Sequence, residues 1–243
     1  MNNNYSGANP YGYATPSQAE SSYSLASYVG SVMRRVYLKM FLGLLVTAVA
    51  ALVVATNESF AEAIFSSKFM FWGLMIAEFG LVIAISAAIN KMSSTTATLL
   101  FYLYAIVNGL TLSVIFFAFD MRTIFLAFGT TAATFGAMSV YGYVTKTDLT
   151  KAGSYLVMAL FGLIIASVIN MFAGWETLNF IISLAGVVIF LGLTAWDTQK
   201  IKNMASMTDP SQAGKVATIG ALERYLDFIN LFLYLLRLFG SRD

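Results

Sequence analysis

The chain has 243 residues, 58% of them hydrophobic and only 11% charged, with a mean hydropathy of +0.75. Soluble domains carry about a quarter of their residues as charges, so the composition places the chain in a membrane, and a net charge of +2 leaves no footprint for nucleic acid. Cysteine and histidine are both absent, which excludes disulfides, thiol chemistry and the usual ligands of zinc, copper and haem, and leaves oxygen donors suited to calcium or magnesium.

Residues 1–27 are rich in Asn, Ser, Tyr and Gly, include Pro10 and Pro16, and read as a disordered polar tail without the pattern of a secretory signal. Residues 28–243 read as one all-α integral membrane domain. Seven apolar runs, at about 38–56, 69–89, 97–119, 124–144, 155–172, 178–196 and 217–239, each approach the roughly 20 residues that a bilayer requires. The division between the third and fourth rests on Asp120-Met121-Arg122 alone. With the N-terminus inside, inner segments hold nine Lys and Arg and outer segments four, which favours a cytoplasmic N-terminus.

The last run carries Glu223, Arg224 and Asp227 well inside its length. Gly220, Glu223, Asp227, Asn230, Tyr234 and Arg237 recur at helical spacing and share one stripe. A charge facing lipid costs about 2.5–3.5 kcal/mol on insertion scales, so this stripe is expected to face protein or water. The simplest arrangement is a seven-helix bundle with the C-terminal helix central and its acids on an internal cavity.

Asp197 ends the sixth run, and the sixth and seventh runs form a hairpin about the turn at Gln212, equidistant from Asp197 and Asp227. Allowing for half the loop, each aspartate lies roughly 13 Å along its helix, so the two carboxylates can meet. In a low-dielectric site both cannot ionise cheaply, and they would titrate as one coupled unit. Such a pair could sense protons and, when ionised, offer Asp197 and Asp227 oxygens to a metal cation. The plainer alternatives are that Asp197 faces headgroups and that Glu223, Arg224 and Asp227 form a local ion cluster supporting assembly. Glu78, in the middle of the second run, is either functional or protonated and hydrogen-bonded. Asn108, Thr111 and Asn170 read as interhelical glue, and Gly129, Ala132, Ala133 and Gly136 as close-packing positions. The last run has no lysine for a retinal Schiff base, and no nucleophile–histidine pair or aspartyl intramembrane protease motif is present, so an enzyme is not expected.

GLTAWDTQKIKNM followed by GALERYLDFINLFLYLLRLFG closely resembles the C-terminal signature of the transmembrane Bax inhibitor motif family. GAMSVYGYVTKTDL and LYAIVNGLTLSVIF resemble its bacterial branch. The resemblance implies a seven-helix bundle with the last helix central, and a pH-sensitive calcium leak channel of the bacterial inner membrane gated by a hydrogen-bonded aspartate pair. Asp197 and Asp227 match that pair as gate and proton sensor, and Glu78 matches an acid in helix two. Glu223 and Asn230 are further candidate pathway or cation contacts. The arginine latch of some relatives is replaced by AINKMSS, where Lys91 is the nearby base, and Arg224 is a second candidate latch or charge partner. No resident cofactor is expected; calcium would be a permeating or transiently bound ion, and the bilayer the main partner. The alternative is a non-transporting regulator acting on membrane proteases or stress responses through membrane-protein partners.

Overall fold

The computed structural model describes residues 16–240. Nine α-helices follow in order: α1 Pro16–Ala55, α2 Glu58–Phe65, α3 Lys68–Ala88, α4 Ser94–Leu112, α5 Ile115–Ala118, α6 Met121–Val144, α7 Thr150–Ala173, α8 Glu176–Met207 and α9 Ala213–Gly240. Among the described residues there is no strand. Six helical stretches, Ser24–Ala55, Lys68–Ala88, Ser94–Ala118, Met121–Val144, Thr150–Ala173 and Glu176–Met207, are long and apolar enough to cross a membrane.

The helix starts follow from local chemistry. Asn57, Ser67, Ser93 and Asp120 each occupy an N-cap, and their side chains accept from the backbone N–H groups of Phe60, Met70, Thr96 and Thr123. Asp120 also accepts from the Thr123 hydroxyl at 2.6 Å. These Thr123 hydrogen bonds, side-chain first, hold the exposed Asp120 carboxyl below the usual carboxylate range. The thin boundary at Asp120-Met121-Arg122 is thus a real helix start. At the other end of α7, Gly174 caps the helix with φ +65°, a conformation that costs glycine little.

Four boundaries differ from those expected. The third run is broken at Ser113, whose hydroxyl donates to Leu110 O at 2.6 Å, so α4 gives way to the short α5. The small helix α2 fills the connection before α3. Residues 16–27 are helical rather than disordered, because α1 begins at Pro16, a residue suited to a first helical turn; residues 1–15 of the expected tail lie outside those described. The sixth run continues to Met207 instead of ending near Trp196. A second apolar cluster accounts for the extension of α8: Ile201 and Ala205 bury against Val29, Val32 and Val36 of α1 and Val216 of α9.

α9 packs against α8, α1, α6 and α4, and its buried apolar residues join the main core cluster. Tyr225 meets Phe101 and Tyr104 edge-on, and Phe228 meets Phe135 and Phe128 in the same manner. α3 packs on α4, and α7 on α8, so both run along the periphery. α6 and α8 approach closely at Gly142, where a Cβ would collide with the backbone of Ala195. The expected close-packing stripe on α6 is different. Gly129 and Gly136 would each carry a Cβ into open space, and Ala132 and Ala133 are exposed; the buried face of α6 runs instead through Ile124, Ala127, Thr131, Phe135, Ser139 and Gly142. Asn170, near the end of α7, ties that helix to the next, its side-chain oxygen accepting from Trp175 N, the N-cap residue of α8, at 3.1 Å.

A buried ion cluster between the last two helices

The last two helices bring three acids and two bases together. On α8, Thr194, Asp197 and Thr198 occupy successive turns facing α9, and all three are buried. Both threonine hydroxyls are satisfied by their own helix, Thr194 donating to Phe190 O at 2.7 Å and Thr198 to Thr194 O at 2.8 Å. Each hydroxyl oxygen keeps acceptor capacity for an incoming donor.

That donor is Arg224, whose side chain has no solvent exposure. Its Nη1 donates to Thr194 O and, at 2.9 Å, to Thr198 Oγ1. Its Nη2 lies 2.6 Å from Asp227 Oδ2 and 2.8 Å from Asp197 Oδ2. One guanidinium nitrogen thus holds a carboxylate from each helix while the other serves the α8 oxygens, a spread of charge-assisted bonds that the single nitrogen of a lysine cannot span. The Phe135 ring of α6 lies 5.8 Å from Arg224 Cζ, adding a cation–π contact. Arg224 Nε is buried without a hydrogen-bond partner.

Glu223 and Lys200 complete the cluster at its half-exposed edge. Lys200 Nζ stands 2.7 Å from Glu223 Oε1 and 4.0 Å from Asp197 Oδ1, and lies over the Trp196 ring. Glu223 Oε2 is buried and unpartnered. Gln199, between these residues, has a structural role. It accepts from Leu149 N at 2.9 Å and donates to Thr147 O at 2.8 Å, pinning the α6–α7 connection.

The other candidates are placed less closely. Glu78 on α3 faces Thr111 and Asn108 of α4, and its Oε1 is buried without a hydrogen-bond partner. From Asn108 a polar chain continues inward: Tyr225 donates to Asn108 Oδ1 at 2.8 Å, Tyr225 and Thr47 hydroxyls are 2.6 Å apart, and Thr47 donates to Ala105 O. Asn230 turns its amide back to Leu226 O at 2.8 Å and does not reach the aspartates. Lys91 is exposed in the turn after α3, away from the pair, and the guanidinium that grips both aspartates belongs to α9. Thr47, Thr194, Thr198 and Tyr225 were not apparent as site residues, since hydroxyls on apolar runs carry no distinguishing spacing.

As a cation site, this arrangement is occupied by the protein itself. Asp197 Oδ2 and Asp227 Oδ2 both engage Arg224, and among the described residues no group of three or more acids is placed to hold a metal. A divalent cation could reach these oxygens only after the guanidinium withdraws.

The family model described as inhibitor of apoptosis-promoting Bax1 matches residues 29–243. An uncharacterized protein of Borreliella burgdorferi is 51% identical over 212 residues, covering 86% of this chain and 91% of its own. The inner membrane protein YbhL of Escherichia coli K12 is 46% identical over 213 residues, with the same coverage of 86% and 91%. An uncharacterized protein of Deinococcus radiodurans is 41% identical over 216 residues, covering 88% of this chain and 92% of its own. With a buried ion cluster joining its last two helices and a family match running from Val29 to the C-terminus, the chain belongs to the Bax inhibitor-1 family of membrane proteins.

Proposed function

We propose that the chain is a pH-sensitive calcium leak channel of the bacterial inner membrane, in which Asp197 and Asp227 form the gate and proton sensor. In this reading α9 is a seventh span, central among the others, and the N-terminus is cytoplasmic. The inner-membrane name of the Escherichia coli relative supports the location, and the Lys and Arg bias supports the orientation. The observation that carries the functional reading is Arg224, fully buried with a carboxylate from each of two helices on one nitrogen.

The charge count gives the mechanism. Three acids and two bases make the ionised cluster of Asp197, Asp227, Glu223, Arg224 and Lys200 net negative by one. One added proton makes it neutral, the state that a packed low-dielectric site tolerates best. Losing that proton leaves an uncompensated charge between α8 and α9, relieved by parting the helices and admitting water or a cation. Protonation therefore favours the closed form and ionisation the open one. Arg224 acts as the latch, and Glu78, beside Asn108, contributes a pathway contact. The proposal is one of transport, with calcium as cargo.

The test is calcium flux into liposomes containing the purified protein between about pH 6 and about pH 8, beside the Asp197→Asn/Asp227→Asn double variant. Flux that varies with pH in the parent and not in the variant is expected. No flux above empty liposomes at any pH would reject the channel and favour a regulator of other membrane proteins.

A further inference from the structure

α1 and α6 both pack on α9, yet an apolar groove of about 720 Å³ separates them, floored by Phe228. That volume lies within the range of small-molecule sites, about 300–1,000 Å³. The groove continues past Leu44, Phe128 and Phe228 into a second apolar cavity of about 290 Å³, so it forms a long slot along the bundle. Both walls leave room to spare: a Cβ on Gly30 of α1 or on Gly136 of α6 would meet nothing within 4 Å.

One end of this slot is chemically different. Arg34 lines it, and no carboxylate does. Ser139 lines it too, with only 6% of its surface exposed, and its Oγ is buried without a hydrogen-bond partner. A neighbouring lining residue, Tyr143, carries a second cation at its back, since Lys202 Nζ donates to Tyr143 O at 2.8 Å and lies 4.9 Å from the ring centroid. A hydroxyl left unpaired in an apolar wall calls for a polar partner, and a guanidinium at the same rim calls for an anion. The ligand that offers an anion joined to a long apolar chain is a phospholipid.

We infer that the α1–α6 groove binds one anionic phospholipid, its acyl chain lying along the slot over Phe228 and its headgroup phosphate held by Arg34 and met by the Ser139 hydroxyl, which turns out of the wall to reach it. The site is distinct from the aspartate cluster, and its occupancy does not depend on the channel reading. Two features favour a bound lipid over a passing solvating one. The Ser139 hydroxyl needs a fixed partner, and the rim carries Arg34 with no acid beside it.

Native mass spectrometry of the full chain in detergent tests this, with palmitoyl-oleoyl phosphatidylglycerol and palmitoyl-oleoyl phosphatidylcholine as probes. The parent is expected to retain one phosphatidylglycerol with a preference of roughly fivefold over phosphatidylcholine, the scale set by one basic side chain at a charged membrane surface. Arg34→Gln should remove the preference. Gly136→Phe should fill the slot and lose the bound lipid, and Gly30→Leu, from the opposite wall, should do the same; a variant is scored only if its thermal unfolding matches the parent's. Equal retention of the two lipids by the parent, or parental phosphatidylglycerol retention by both slot-filling variants, would overturn the proposal.

Discussion

Replacing Arg224 with methionine removes the guanidinium and keeps a side chain of similar length. In the parent that group has no solvent exposure and stands 2.6 Å from Asp227 and 2.8 Å from Asp197. Removing one partner from a buried ion pair costs about 3–5 kcal/mol, because the remaining charge stays buried and uncompensated. Here two carboxylates lose their shared partner, while Lys200 stays with Glu223, 4.0 Å from Asp197. The cost falls on the closed arrangement, where the carboxylates are packed, and spares a form in which α8 and α9 part and water reaches them. At a factor of ten per 1.4 kcal/mol, even the lower figure shifts the balance by roughly a hundredfold. Arg224→Met should therefore raise calcium leak at the alkaline end of the pH range and lower the unfolding temperature in detergent. Adding Asp197→Asn and Asp227→Asn should recover much of the lost stability, since no charge then remains unpaired, and the departure from additivity measures the coupling. Arg224→Lys keeps the charge without the fork and should fall between. Parental leak and parental stability in Arg224→Met would refute the account of Arg224 as latch.

Other consequences can be checked more simply. Tyr225→Phe removes the hydroxyl that donates to Asn108 and meets Thr47; leaving such buried groups unsatisfied costs about 1–3 kcal/mol, readable as a lower unfolding temperature with no change in the pH dependence of flux. Gly142→Ala drives a methyl into Ala195 O, a backbone atom that cannot yield, so α6 and α8 must separate; overpacking of this kind costs about 1–3 kcal/mol or more, and folded yield in detergent should fall. Asp120→Ala tests a helix start. The Asp120 carboxyl is held below its ordinary range by Thr123, so its contribution is present above the unfolded-state carboxylate pKa and is lost as pH falls through the lower folded value. The stability gap between parent and Asp120→Ala should accordingly close on acidification, and a gap independent of pH would contradict the cap.

Much of this architecture is legible in the sequence, and what is not has physical causes. Hydropathy alone marks seven apolar runs, six of which fall in helical stretches long and apolar enough to cross a membrane, since lipid imposes one composition on every lipid-facing segment. Helix ends are harder, because Ile201 and Ala205 extend α8 by packing on Val29, Val32 and Val36 from far along the chain. The meeting of Asp197 and Asp227 at one group follows from their equal distance from the turn, whereas the role of Arg224 does not. Spacing puts Arg224 three residues from Asp227, so a local contact is readable. Its reach across to Thr194, Asp197 and Thr198 depends on how α8 and α9 are rotated against each other, which the pattern along one helix does not encode. Gly129 and Gly136 are misread for the converse reason. A small residue permits close approach, but only the neighbouring helices determine whether anything approaches.

The clustering of Arg224's partners on α8 and α9 also bears on how the protein is made. On the reading of α9 as a seventh span, it is synthesised after α8, and alone it would carry Glu223, Arg224 and Asp227 into lipid at about 2.5–3.5 kcal/mol per charge. Every hydrogen bond and ion pair that Arg224 makes lies on its own helix or on the one immediately before it in the chain. The two helices are joined by a connection held at Asp209, which caps the turn Pro210–Gln212 by accepting from Ser211 N at 2.8 Å. They can therefore neutralise their charges against each other as soon as both have been synthesised and enter the bilayer as a closed hairpin. On that reading the ion cluster that joins α8 to α9 also serves as the passport by which α9 enters the membrane.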